Sequence, residues 1–279
     1  NVCNTDIPIE LYLKVLGYLV SEGCIYSNFE NKRYDAFISV NQLTSSDCYE
    51  DMKQCFDTFA KYLNKKANNV IRIKGTGYSV NSPKQMWSVS IHGKDLVEHF
   101  RKEIGTDNNT LSSFKCLQRW VLNLTPELMN IVLNALVKGD GSEAVSKYNT
   151  GSKSFKYSTI SKKLSNDVYE LVYKLGFVPT ICVSTAKKSD NKVVTEYIVM
   201  WSDTKYGNQP NISSRIKSGN GGGATIELKD YNGKIWNINT DKKIISRRNG
   251  KISVQYANAY DENTEILTEE GFKLISDLQ

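Results

Sequence analysis

The sequence predicts an α+β protein of two similar halves with a small all-β segment at its C-terminal end. Three observations carry that expectation. Two helix-forming segments, one near each half's start, share a pattern and each ends in a carboxylate followed by glycine. Behind each, strand- and helix-forming stretches follow in the same order. From Ser213 to Ala224 the composition changes to Ser, Asn and Gly, and only short β-forming runs lie beyond it. The halves are accordingly assigned to residues 1–123 and 124–217, a glycine-rich linker to 218–224, and the β segment to 225–279.

The first helix is expected from Thr5-Asp6-Ile7-Pro8-Ile9-Glu10 onward, with Leu13, Leu16, Gly17, Leu19 and Val20 at helical spacing and Ser21-Glu22-Gly23 at its end. The second opens at Leu124-Thr125-Pro126-Glu127 and runs through Leu128, Ile131, Val132, Leu133, Ala135, Leu136 and Val137 to Gly139-Asp140-Gly141. A Thr or Asp ahead of Pro supplies a cap and a favoured first-turn residue, and the glycine after the acid is expected to stop the helix. After the first helix, residues 34–40 read as a strand, 46–56 as a helix, and 70–74 and 86–91 as further strands. After the second, 155–161 read as a strand, 165–175 as a helix ending at Gly176, and 180–184 and 193–201 as strands. Residues 114–124 bridge the halves. In the last segment, 226–228, 234–238, 243–246, 251–256 and 264–267 are β-forming, separated by turn signals such as Asn232-Gly233 and Asn249-Gly250. That segment is too short to build a generous core of its own.

Composition narrows the function classes. A formal net charge of +6, from 36 Lys plus Arg against 30 Asp plus Glu, fits a nucleic-acid partner without requiring one. The six cysteines (Cys3, Cys24, Cys48, Cys55, Cys116, Cys182) form no C-x-x-C pair and have no close His. They predict free thiols in a reducing compartment rather than a structural zinc site or a redox motif. His92 and His99 are the only histidines, which leaves little room for histidine catalysis elsewhere. No apolar run approaches the roughly 20 residues of a membrane span, and no basic-then-apolar leader opens the sequence. A soluble cytoplasmic protein with no membrane partner is expected.

The two acids are the most informative residues. Gly17 and Ser21 lie four apart, as do Ala135 and Gly139, so each of the paired helices carries small residues along one face. Two such faces can pack backbone against backbone. About a pseudo-twofold axis, that packing brings Glu22 and Asp140 side by side, where two carboxylates repel unless a divalent cation lies between them. Oxygen ligands of this kind suit magnesium, which keeps waters and takes few carboxylates. Such a metal can activate water and stabilise a leaving oxygen in phosphodiester hydrolysis. The metal site is expected at Glu22 and Asp140 with Ser21 and Gly139 beside them. Helices ending in an acid and a glycine are common, and either one alone is more simply an ordinary capped helix.

Residues 15–23 (VLGYLVSEG) and 133–141 (LNALVKGDG) resemble the two copies of the motif that defines LAGLIDADG homing endonucleases, in the form borne by inteins. The resemblance covers about 210 residues, the whole repeat. It implies two pseudo-twofold-related αββαββα halves whose sheets form a saddle over the DNA major groove. It also implies magnesium-dependent cleavage of both strands of a long site, leaving short 3′ overhangs, with Mn2+ able to substitute and Ca2+ supporting binding without cutting. Glu22 and Asp140 match the family's metal-binding acids. The family also has a basic residue in each half that assists catalysis; Lys84 and Lys192, each ahead of a late strand, are the candidates. The implied partner is double-stranded DNA, bound by a monomer in the cytoplasm, at the nucleoid of a bacterial or phage-infected host. Arg33, Arg72, Lys74, Lys153, Lys156, Lys187 and Lys188 are candidates for a phosphate-contacting surface, although each taken singly is more simply the solvated face of a strand. Tyr157, Tyr197 and Trp201 are read as core or rim rather than base-stacking residues.

Residues 230–238 and 245–254 resemble the last strands of an intein splicing (Hint) domain, ending at Asn258 where the family has its cyclising Asn. Residues 260–272 resemble that domain's opening strand, so the order is reversed and the segment reads as permuted or incomplete. Ala259 stands where splicing needs a thiol or hydroxyl, and Ala257 where a His normally precedes the Asn. Splicing is therefore expected to be disabled, with a complementary intein fragment as a possible partner. A small β appendage packed on the nuclease is the simpler alternative. Two other functions compete with the nuclease: a catalytically silent, maturase-like DNA-binding protein on the same scaffold, and a protein-splicing element.

Overall fold

The computed structural model describes residues 2–28, 35–74, 84–106, 112–145, 153–187, 193–203, 233–238, 244–248, 251–255 and 259–278. Helix α1 (Ile9–Glu22) is buried along most of its circumference, with Leu13, Val15, Leu16, Tyr18 and Leu19 fully enclosed. A helix apolar all round belongs inside a protein. Its partner is α4 (Pro126–Asp140), and the small residues make the approach possible: a β-carbon built at Gly17 would lie 2.6 Å from the Ala135 β-carbon and 3.1 Å from the Val132 carbonyl oxygen. A β-carbon at Gly139 would collide with the Ser21 hydroxyl. Thr125 occupies the cap position of α4 with Pro126 in its first turn, as the sequence suggests. In α1 the cap position falls on Pro8, not on Thr5 or Asp6.

The glycines after the two acids end the helices, as the sequence suggests, but no turn follows. Gly23 and Gly141 are extended (φ −83° and −93°), and each helix passes directly into a strand: β1 (Gly23–Asn28) after α1 and β5 (Gly141–Val145) after α4. A β-carbon at Gly141 would lie 2.5 Å from the Val137 carbonyl oxygen, and one at Gly23 would collide with that of Leu19. Glycine is needed at each junction for close approach, not for a left-handed conformation.

The first sheet holds β1, β2 (Asp35–Leu43), β3 (Ala67–Lys74) and β4 (Lys84–His92) in the antiparallel order β1-β2-β4-β3. Helices α2 (Tyr49–Tyr62) and α3 (Lys94–Glu103) complete this part, α2 burying Met52, Cys55, Phe56 and Phe59, α3 burying Leu96, Val97 and Phe100. Trp87, Val89 and Ile91 of β4 point into the core with Ile38 and Val40 of β2, so Ser88, Ser90 and His92 face the opposite way.

The same order recurs as β5-β6-β8-β7, from β6 (Lys153–Thr159), β7 (Thr180–Lys187) and β8 (Val193–Ser202). Helix α5 (Lys162–Lys174) starts three residues before the sequence suggests, because Ser161 rather than Ser165 caps it, its hydroxyl accepting from the Leu164 amide at 3.1 Å. Residues 204–232, which include the glycine-rich linker, lie outside the described residues.

The C-terminal strands are β9 (Trp236–Asn237), β10 (Ile244–Arg248), β11 (Lys251–Gln255), β12 (Ala259–Tyr260), β13 (Glu265–Thr268) and β14 (Gly271–Leu274). They have a small core of their own in Ile244, Tyr260, Ile266 and Ile275. They also extend the second sheet: Lys251 of β11 pairs with Thr180 of β7, and the order continues β7-β11-β10-β13-β14. The Arg247 guanidinium donates to Glu265 through Nε (2.7 Å) and Nη2 (2.9 Å) and lies 4.2 Å from the Phe272 ring centroid and 4.9 Å from that of Tyr169 on α5.

Candidate functional site

The direct helix-to-strand junctions place Glu22 and Asp140 at the matching ends of the two packed helices. Glu22 is half-buried, and burial together with the charge of Asp140 raises its carboxyl to a pKa of about 7, against the opposing influence of Lys115 and Gln42. Asp140 reaches solvent, yet its carboxyl is also raised because surrounding protein desolvates it. The Asp140 carboxyl is thus crowded by protein yet open to solvent. Two neighbouring carboxyls with raised pKa values mark a candidate functional site.

One basic residue meets the acids, and the sequence did not single it out. Lys115 comes from the segment joining α3 to α4, is 7% exposed, and aims its ammonium at the end of α1. Nζ donates to the carbonyl oxygens of Val20 (2.9 Å), Ser21 (3.1 Å) and Gly23 (2.8 Å), with Leu19 O at 3.3 Å. It satisfies carbonyls that a helix C-terminus leaves open. Burial pushes its pKa down, while Asp140, Cys24 and Glu22 hold it up. Its own carbonyl accepts from the Ser161 hydroxyl at 2.6 Å, which ties it to α5. The available signal was a lone Lys between apolar neighbours, Phe114-Lys115-Cys116-Leu117. Gln42 of β2 was also missed; its amide nitrogen lies 3.4 Å from Glu22 Oε1.

The other expected residues divide. The Ser21 hydroxyl donates to Gly17 O at 3.1 Å and packs at Gly139, so both residues shape the seam. Arg72 is exposed on β3, on the same face as Ser88, Ser90 and His92, and Lys156 is exposed on the corresponding face of β6. Lys153 lies on the opposite face of β6, with Phe155, and its ammonium pairs with Glu143 at 2.7 Å. Lys84 opens β4 opposite Lys74, and Lys187 ends β7; the side chains of these three are outside the described ones. Arg33, Lys188, Lys192, Ala257 and Asn258 lie outside the described residues. Ala259 pairs with Asn237 in β12. Tyr157 and Trp201 belong to the core, and Tyr197 is half-buried. On the first sheet's helix-free face Phe37 joins Tyr26 (centroids 5.1 Å apart, stacked) to His92 (5.2 Å), an aromatic strip that sequence reading passed over.

Among the described residues no three His, Cys, Asp or Glu side chains gather as a complete metal cage. Two neighbouring carboxylates that reach solvent fit a cation that takes its remaining ligands from water and substrate oxygens, as magnesium does. They do not fit a closed structural zinc site.

Among solved structures the fold is similar to I-DmoI in complex with DNA and Mn, at 12% identity and a TM-score of 0.44, covering 69% of this chain and 89% of that one. It is similar to the homing endonuclease I-WcaI bound to its DNA recognition sequence, at 12% identity and 0.40, covering 71% and 77%. It is also similar to the LAGLIDADG homing endonuclease I-GzeII in complex with its DNA target, at 13% and 0.32, covering 72% and 79%. No curated protein matches the sequence. Residues 127–205, from the first turn of α4 past the end of β8 and including Asp140, match the family model described as a LAGLIDADG-like domain.

Proposed function

We propose that the chain is a site-specific endonuclease that makes metal-dependent double-strand breaks in a long DNA target, acting as a monomer with two pseudo-twofold-related αββαββα halves. The observation that carries this reading is the pair of acids at matching ends of two helices packed through glycine and alanine. A binding-only protein has no reason to hold Glu22 and Asp140 beside one another where burial disfavours their charged forms. The two carboxylates would hold Mg2+, which would supply water activation and charge neutralisation at the scissile phosphate. Mn2+ is expected to substitute, and Ca2+ to support binding without cutting.

The chain's own residues have defined tasks in this reading. Lys115 fixes the end of α1, and with it Glu22, and places a cation beside the acid pair. Lys84 and Lys192 remain the candidates for the basic residue of each half, and Lys115 is a further cation beside the acids. Gln42 orients Glu22. Arg72 and Lys156 offer phosphate contacts on the helix-free faces of the two sheets. The C-terminal strands are read as an incomplete or permuted splicing domain, disabled by Ala257 and Ala259, for which a complementary intein fragment is a partner to test.

A cleavage selection with wild-type protein, Mg2+ and a randomised duplex library tests the function. Discrete targets with short 3′ overhangs are expected. Glu22→Gln and Asp140→Asn should each lower cleavage by about a hundredfold or more, the scale of losing one preorganised electrostatic group, while duplex binding in Ca2+ persists. A library left uncut by the wild type, or cutting retained by either variant, would overturn the assignment.

A further inference from the structure

One buried polar group beside the acids has no task in the reading above. Tyr157 is the one fully buried residue of β6. It pairs across the strands with Gly141, the residue that follows Asp140, so it lies in register beside the end of α4. Its ring fills core space, but its hydroxyl has no hydrogen-bond partner. A buried donor left unpaired is costly, and a phenylalanine would carry the same ring without that cost. The matching register position in the first sheet, opposite Gly23, holds Val40. Packing at this junction therefore does not call for a hydroxyl. Burial first, and then the charges of Asp140 and Glu22, keep the Tyr157 hydroxyl protonated, and so able to donate.

We propose that the Tyr157 hydroxyl is a positioning group of the acid pair, donating its hydrogen bond into the cluster of oxygens that Glu22 and Asp140 gather around a divalent cation. The inference rests on the metal-site reading. The charges of Asp140 and Glu22 both act on this hydroxyl, and a loaded pair would offer it an acceptor. This gives a task to a hydroxyl that is unpaired in the metal-free protein.

The test measures Mn2+ uptake by electron paramagnetic resonance, without DNA, for wild type and Tyr157→Phe, with melting temperatures recorded in metal-free buffer. The expected result is a Tyr157→Phe protein that melts at the wild-type temperature or above it and binds Mn2+ about tenfold more weakly. Unchanged Mn2+ affinity in Tyr157→Phe would overturn this inference alone. A lower melting temperature in Tyr157→Phe would show that the hydroxyl already serves the metal-free fold, and would also overturn it. A wild-type protein that takes up no Mn2+ would overturn the metal-site reading and this inference with it.

Discussion

At the scale of single residues, the metal site proposed at Glu22 and Asp140 carries a pH dependence. Burial and the neighbouring Asp140 raise Glu22 to about 7, so in metal-free protein below that pH a cation has to displace a proton. Affinity for Mn2+ should therefore be about tenfold weaker at pH 6 than at pH 8, because one unit below the pKa only about a tenth of the carboxyl is ionised. The effect on stability has the opposite sense. A carboxyl whose folded-state pKa lies above its unfolded value contributes stability that is present at low pH and lost as pH rises through about 7. The metal-free protein should melt at a lower temperature at pH 8 than at pH 5.5, and Glu22→Gln should reduce that difference. Calorimetric titration and melting curves at the two pH values check both statements; equal Mn2+ affinity at pH 6 and pH 8 would contradict them. Glu22 and Asp140 were legible in the sequence because each lies inside one short repeated motif. Lys115 was not, because its partners lie more than ninety residues away in sequence (|i−j| of 92 to 96) and only the fold brings it to the end of α1. No local pattern marks a lysine whose ligands are backbone carbonyls of another element.

At the scale of elements, the contact between α1 and α4 depends on missing side-chain atoms. Gly17 has no room for even a β-carbon against Ala135. Gly17→Leu should therefore force the helices apart and cost about 3 kcal/mol, the upper end for overpacking a core, which for a protein of this size is a fall of roughly 6–12 °C in melting temperature. A melting temperature within about 1 °C of wild type would show that the seam is not a close contact. The helical periodicity that announced α1 and α4 was strong because each carries a continuous apolar face, Leu13, Leu16 and Leu19 in α1 and Met129, Val132, Leu133 and Leu136 in α4. The strands after them were hidden. Gly-Ser-Glu-Ala-Val of β5 has no alternation of apolar and polar residues and is mostly exposed, and a glycine after a helix normally signals a stop. Helix α3 was also missed: it buries only Leu96, Val97 and Phe100 among charged neighbours, a stripe too narrow to stand out from a polar loop.

At the scale of the whole molecule, the two sheets differ in width and the C-terminal strands are the reason. Strand β3 closes the first sheet, with Ile71 and Ile73 more than half exposed. The corresponding strand β7 is followed by β11, β10, β13 and β14, and the last of these brings Phe272 edge-to-face onto Tyr169 at 5.6 Å. Sequence composition gave no sign of this attachment, since the pairing of Lys251 with Thr180 joins residues about seventy positions apart. The arrangement makes the segment part of what covers α5, whatever its origin. A chain ending at residue 232 should leave the edge of β7 and the Tyr169 face of α5 open, and both invite aggregation. Arg247→Met tests the same attachment without truncation. Arg247 is 3% exposed and paired with a Glu265 side chain that is 25% exposed. Losing the cation should cost about 2–3 kcal/mol, somewhat below the loss for a fully buried pair, or roughly 4–12 °C in melting temperature. Melting curves and size-exclusion profiles of both proteins decide the matter. If the truncated chain stays monomeric and both proteins melt with the wild type, the C-terminal strands are a passenger; a shared loss of stability makes them a structural part of the second half.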